Sequence, residues 1–381
     1  MSSNSERPRA FESDPIEWAL SLDPSERLGS KHHTVPIVYL RHFAQDGRVR
    51  IRRREGGVAR TTNIRDFAIR DFYSMVRDDG TPDAGIEQIL GVVEGAVAPV
   101  LDRLMNPLLA RRPLEPAEFF PLVQFVGFQL VRGAGHRREQ ELMADYLAKS
   151  SISTKTPGPR TRSKAKRPTH RYSEEDLAQV RVVGHQNEYL RHFGELAEKV
   201  TEQLFDRPAT VIEVADPLFI TCDEPVLVNT DGDHVEHRPE CFETPRERRI
   251  RVKRELRRTG SYSQVVHVYP TRRSGISDAK EVGLTISPRH FLVFGEKGTH
   301  APPHKLLDTT QSAEPVSEVN SLITTQAFDW IVARPDNSAF DELIVPPVGP
   351  LVRVCDGNSA LSRALDAPPE PRRPGRFRKD W

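Results

Sequence analysis

Much that usually announces a biochemistry is missing from this chain. Its 381 residues hold three cysteines, Cys222, Cys241 and Cys355, scattered and without a CxxC pair. That excludes a disulfide framework and fits reduced thiols in a cytoplasmic protein. No stretch approaches the roughly 20 consecutive apolar residues of a membrane-spanning helix, and Met1–Pro8 has no apolar segment of the kind a signal peptide carries. There is no GxxxxGK(S/T) phosphate loop, no GxGxxG turn after a strand, no HExxH helix and no GxSxG elbow. The histidines do not pair with cysteines at zinc-ligand spacing, which argues against a structural zinc site. No internal repeat is present.

Net charge is almost absent too, at +1, but this balance conceals an uneven distribution. Residues 155–171 carry seven bases and no acid, residues 246–258 eight bases and two acids, and residues 372–379 five bases and no acid. Without these three segments the remainder has 35 bases against 52 acids, so the body is acidic and the positive charge is concentrated in polar stretches. Such stretches attract polyanions by releasing counterions, so segments 155–171 and 246–258 are the expected contacts for nucleic acid. The competing reading is a pair of solvated linkers that bind nothing. No membrane partner is expected, and the oligomeric state is left open.

What is present reads as α+β. The densest stretch is His32-His33-Thr34-Val35-Pro36-Ile37-Val38-Tyr39-Leu40-Arg41-His42-Phe43. Pro36 suits the first turn of a helix with Thr34 as its cap, and Ile37, Leu40 and Phe43 recur on a core-facing side. Val49 and Ile51 alternate with arginines before Gly56-Gly57, which predicts a two-stranded hairpin whose arginines face solvent. From Gly85 to about Leu109 one apolar stripe predicts a helix that Pro99 kinks. A second long helix is expected over Glu115–Ser150, and a third, capped by Ser173, up to Asp206-Arg207-Pro208. Strands follow at 210–214, 218–221, 225–228, 265–270 and 289–294, then a helix over Glu314–Ala333 and a short strand at 343–345. Helices dominate the first half and strands the second, so the mainly helical N-terminal half should pack on a mixed or antiparallel sheet from the C-terminal half. The expected domain spans 31–350. It is flanked by an extension (1–30, with a short helix from Asp14 to Leu22) and a Pro/Arg-rich tail (351–381), and polar inserts interrupt it at 150–172 and 230–260.

Several of these segments together resemble a known family. His33-Thr34-Val35-Pro36, Tyr39-Leu40-Arg41-His42-Phe43 and Asp71-Phe72-Tyr73 are similar to the N-terminal signature of an uncharacterised bacterial family catalogued as domain of unknown function 4238. The helix pair with Glu94, Gln129 and Arg132 is similar to its middle region. Phe219-Ile220-Thr221-Cys222-Asp223-Glu224-Pro225-Val226 resembles its most recognisable motif, where serine commonly stands in place of Cys222. Ile286-Ser287-Pro288-Arg289-His290-Phe291-Leu292 and Val319-Asn320 resemble its later blocks. The resemblance implies an architecture and candidate positions but no activity.

Candidate site residues are polar groups that interrupt apolar patterns. Arg132 lies on a largely apolar helix face, where an unpaired guanidinium would be very costly, so Glu87, Glu94 or Asp223 should pair with it. Two functions fit. In the first, a metal-dependent hydrolase acts on nucleic acid or another phosphate compound. His33, Glu94 and Asp223 hold Mg²⁺ or Mn²⁺ as the catalytic and metal set, while Arg132, Gln129 and Tyr73 bind substrate. In the second, a non-catalytic binding or interaction module uses the same polar residues as an internal network. A catalytic cysteine at Cys222 is the lesser expectation, since it needs a histidine brought close in space.

Overall fold

The computed structural model describes residues 31–70, 72–106, 108–109, 112–153, 172–229, 245–259, 268–270, 275–298, 305–310, 314–354, 361 and 365. The expected extension with its helix at Asp14–Leu22, the basic segment 155–171 and the end of the tail lie outside these residues.

The described chain begins with a short strand, β1 (Lys31–His33), and one helical turn, α1 (Ile37–Leu40). Pro36 itself is the N-cap, and no side chain caps the turn, so Thr34 does not play the expected part. The hairpin forms as β2 (Arg48–Arg53) and β3 (Arg60–Asn63), followed by β4 (Ala68–Arg70) and a small pair, β5 (Met75–Val76) and β6 (Pro82–Asp83). Four longer helices and one short one come next: α2 (Gly85–Leu104), α3 (Pro116–Val131), α4 (Ala134–Ser153), the short α5 (Glu174–Gln179) and α6 (Gln186–Phe205). The chain continues through β7 (Ala209–Val214), β8 (Thr221–Cys222), β9 (Val226–Asn229), α7 (Pro245–Thr259) and β10 (Val268–Pro270). Last are β11 (Glu281–Ser287), β12 (His290–Phe294), β13 (Lys305–Thr310), α8 (Glu314–Gln326), β14 (Trp330–Ala333) and β15 (Val352–Val354).

The fold is α+β. A mixed five-stranded sheet runs β13-β7-β12-β11-β9, antiparallel except for the β13–β7 pair. An antiparallel four-stranded sheet runs β3-β2-β14-β8 and joins strands from both ends of the chain. Strands therefore precede the first long helix, and the two halves are less segregated than the sequence texture implies. One face of the five-stranded sheet, with Val282, Leu284, Ile286, Leu292 and Phe294, packs on α2, α3 and α6 in the main core. Its other face, with Leu227 and Phe291, packs on Val316 and Ile323 of α8 in a second core. Alternation along each strand produces these two faces. Gly127 sets the close approach of α3 to α6: a Cβ there would lie 2.6 Å from Thr201 Oγ1 and 3.0 Å from the Ala197 carbonyl.

Tyr39 ties α1 to both sheets, donating to the Thr285 carbonyl at 2.6 Å and meeting the Thr221 hydroxyl at 2.7 Å. Buried Arg207 closes another junction by donating to the carbonyls of Ala279 (2.8 Å), Gly295 (2.9 Å) and Ile276 (2.9 Å).

Several expected elements differ. The expected 314–333 helix stops at Gln326, because the apolar run Trp330–Ala333 pairs with β2 and β8 as a strand. Ser173 caps only the short α5, and α6 starts separately behind the His185 side chain. The helix through Pro99 is continuous. In the 218–221 stretch only Thr221 is in a strand, while Leu343–Val345 forms none. The hairpin arginines are engaged rather than simply solvated: Arg50 pairs with Asp341, and Arg54 donates to the carbonyls of Pro346, Thr324 and Thr325. Part of the expected polar insert at 230–260 is the helix α7, and β15 lies past the boundary expected at 350. No helix among the described residues is long and apolar enough to cross a membrane.

Candidate functional site

Arg132 stands at the C-cap of α3 and is 1% exposed. Its guanidinium donates to Glu94 Oε1 on α2 at 2.8 Å and to the His33 carbonyl on β1. It also lies 5.7 Å from the centre of the Tyr73 ring, and the Tyr73 hydroxyl donates to the Arg132 carbonyl at 2.8 Å. Burial works against the cation, but Tyr73 and Glu94 outweigh it and hold its pKa above the ordinary value. One side chain thus joins β1, α2, α3 and the 72–75 connector.

The sequence suggests an unbroken helix through this point, whereas the structure divides it into α3 and α4 at Arg132-Gly133. A Cβ at Gly133 would sit 2.1 Å from Glu224 Oε1, and that same oxygen accepts from the Gly135 amide at 2.7 Å. Glu224, 2% exposed, therefore occupies the first turn of α4 and satisfies one of its orphan amides. Its part was not anticipated. The Gly133-x-Gly135 pair inside an apolar helix was the available sign of a close approach.

Around the ion pair stand polar atoms that it leaves unsatisfied. Gln129, one turn before Arg132, is 1% exposed, and neither its amide oxygen nor its nitrogen has a hydrogen-bond partner among the described residues. Glu87 Oε2, His33 Nε2 and Arg132 Nε are likewise buried and unpartnered there. Burial pushes the Glu87 carboxyl up to about 7; Arg132 opposes this and Glu94 adds to it. Burial also lowers the His33 pKa, so its ring is neutral at pH 7. Glu87, Glu94 and His33 are half-buried, whereas Arg132 and Gln129 lie deep. Arg132 and Gln129 thus form the deep side of a polar group between α2 and α3, with Glu87, Glu94 and His33 nearer the surface. Arg132 and Glu94 cancel in charge, which leaves Glu87 to set the sign.

Not every expected residue joins this group. Asp223 leaves β8 at the corner between the two sheets, where its carboxylate accepts from the amides of Phe328 (2.8 Å) and Asp329 (2.6 Å). It pins the α8–β14 connection and does not assemble with His33 and Glu94. Among the described residues no group of three or more His, Cys, Asp or Glu is placed to hold a metal ion. Tyr73 is fully buried, stacked on His32 and edge-on to Phe72, so it backs the site rather than lining it. Cys222 is buried within β8.

A family model described as Protein of unknown function (DUF4238) matches residues 31–247. No curated protein and no solved structure matches the chain.

Proposed function

The chain belongs to the DUF4238 family, proteins of unknown function, and from that premise we propose that it is a binding protein whose ligand enters a cleft between α2 and α3, over Arg132 and Gln129. The observation that carries this is the Gln129 amide, almost fully buried with no partner for either atom among the described residues. Each unmade bond of this kind costs about 1–3 kcal/mol, and native proteins keep few such groups without a use for them. Gln129 offers one donor and one acceptor face. Glu87 adds an oxygen that either accepts or donates near neutral pH, and His33 adds a ring nitrogen. Because Arg132 is already neutralised by Glu94, the cleft suits a small, neutral or singly cationic molecule with adjacent donors and acceptors, not an anion.

Thermal shift with a panel of small amides, amidines, nucleobases and phosphates tests this. Neutral or cationic members should raise the melting temperature of the wild type and leave Gln129→Leu unmoved. A response to phosphates alone, or equal shifts in both proteins, would remove the cleft from consideration.

The metal-dependent reading has less support, because it asks Asp223 to leave the two backbone amides it holds. Of the two basic segments expected to contact nucleic acid, 155–171 lies outside the described residues, and 246–258 falls in α7, whose exposed Arg249, Lys253 and Arg257 recur every fourth residue along the helix. Such a stripe touches phosphates without reading sequence, and its grip falls steeply with salt.

A further inference from the structure

A second polar group lies on the five-stranded sheet, away from the cleft. In the strand register Ser287 of β11 faces His290 of β12, and His290 faces Glu213 of β7. Directly opposed residues on neighbouring strands project to the same side, so the three form a row across three strands. Further along that face the partners are core residues such as Leu292 and Val211. At this end of the sheet the row is polar. Ser287 Oγ lies 2.8 Å from His290 Nδ1, and His290 Nε2 lies 3.8 Å from Glu213 Oε1. Ser287 and His290 are 6% and 7% exposed, and Glu213 is half-buried.

The arrangement selects one proton assignment. A carboxylate facing Nε2 favours the tautomer with its proton on that nitrogen, which leaves Nδ1 as the acceptor. The Ser287 hydroxyl then donates to Nδ1 while its oxygen accepts from the Arg289 amide at 3.1 Å. Burial lowers the His290 pKa, Glu213 opposes that and Arg289 adds to it, so the ring is a neutral base at pH 7. The other charged or titratable groups at this end are His42, whose pKa burial lowers to about 4, and the Arg41–Asp102 pair, with Asp102 Oδ1 3.8 Å from His42 Nε2.

We propose that Ser287 is a nucleophile, with His290 as its general base and Glu213 as the group that positions His290, acting on small carboxylic esters. Nucleophile, base and orienting acid in this relation define such a site by geometry, whatever the order in sequence. In the first step Oγ bonds to the ester carbonyl carbon, the carbonyl π pair moves to oxygen, and the hydroxyl proton passes to Nδ1. The imidazolium so formed faces the Glu213 carboxylate. Collapse of the tetrahedral adduct breaks the bond to the alcohol oxygen, which leaves with that proton. Water, deprotonated by His290, then cleaves acyl-Ser287 to give the carboxylic acid and restore the hydroxyl.

The competing account is that Ser287 only closes the Pro288-Arg289 turn, and an ordinary turn serine is unreactive. An alkyl fluorophosphonate separates the two, since Oγ–P formation expels fluoride and sends the hydroxyl proton to His290. The full chain is treated with this probe and the adduct is located by peptide mass spectrometry. The expected result is a single adduct on Ser287, forming faster as pH rises through the His290 titration. His290→Gln should react about 100-fold more slowly with its thermal melt intact. Glu213→Gln should move the pH midpoint downward, because the carboxylate raises the His290 pKa. A folded wild type with no adduct on Ser287, or with adducts only at other serines, would overturn the assignment. So would an undiminished rate in a folded His290→Gln. The mapping uses the wild type, so a variant that failed to fold would still leave a decisive result.

Discussion

Arg132 illustrates how far a single side chain can be read. A guanidinium on an apolar helix face must be paired, and Glu94 supplies the pairing across α2 at 2.8 Å. Gln129 was legible on the same grounds, three residues earlier. Glu87 was visible as a possible partner, but its special state was not. That state depends on burial by surrounding elements, which spacing along one helix does not show. It also leads to a prediction. In the unfolded chain the Glu87 carboxyl titrates near 4.5, whereas in the fold it is pushed up to about 7. Folding therefore favours the protonated form. Wild-type stability should be highest below about pH 4.5 with respect to this group and fall as pH rises through 7, by on the order of 2 kcal/mol. Denaturant melts of Glu87→Gln should lack this decline between pH 5 and 7.5. Parallel pH profiles for the two proteins would show that Glu87 is ionised in the fold as it is in water.

At the scale of elements, those with a local cause were legible and those with a distant cause were not. The β2–β3 hairpin and α2 follow from period and turn residues within the segment. The break between α3 and α4 follows from Glu224, far along the chain, reaching into the space a Cβ on Gly133 would fill. The end of α8 is decided in the same way, by strands β2 and β8 that recruit Trp330–Ala333. Gly133→Ala should therefore destabilise the protein by about 1–3 kcal/mol, the usual cost of overpacking. Combined with Glu224→Ala it should cost less than the sum of the two single changes, because both disturb one contact. A double-mutant cycle by urea denaturation measures this, and strict additivity would place the cause of the helix break elsewhere.

At the scale of the whole molecule, the α+β class was legible, while the meeting of the two sheets was not. Asp223 stands at that corner and could be recognised only as a turn former or a ligand, since both roles use the same carboxylate. Its two backbone bonds reach Phe328 and Asp329, so it holds the α8–β14 connection rather than a local turn. Asp223→Asn should lower stability by about 1–3 kcal/mol, as one carboxylate acceptor becomes an amide nitrogen facing an N–H. In a cleavage assay with mixed DNA and RNA it should leave any Mg²⁺- or Mn²⁺-dependent activity of the preparation unchanged. Loss of such activity in a variant with a wild-type melt would return Asp223 to a catalytic role.

The cleft itself can be tested without knowing what it binds. A buried amide kept for a ligand costs stability in the free protein, while a buried amide kept for the fold contributes to it. The deciding measurement is the urea-unfolding free energy of Gln129→Leu against wild type, with no ligand added. A Gln129 unpartnered among the described residues predicts a variant as stable as the wild type or more stable by about 1 kcal/mol, because a similar-sized apolar side chain removes two unmade hydrogen bonds. A loss of 1 kcal/mol or more with an unchanged m-value would mean that the amide is bonded within the fold, and would contradict a binding role for the cleft.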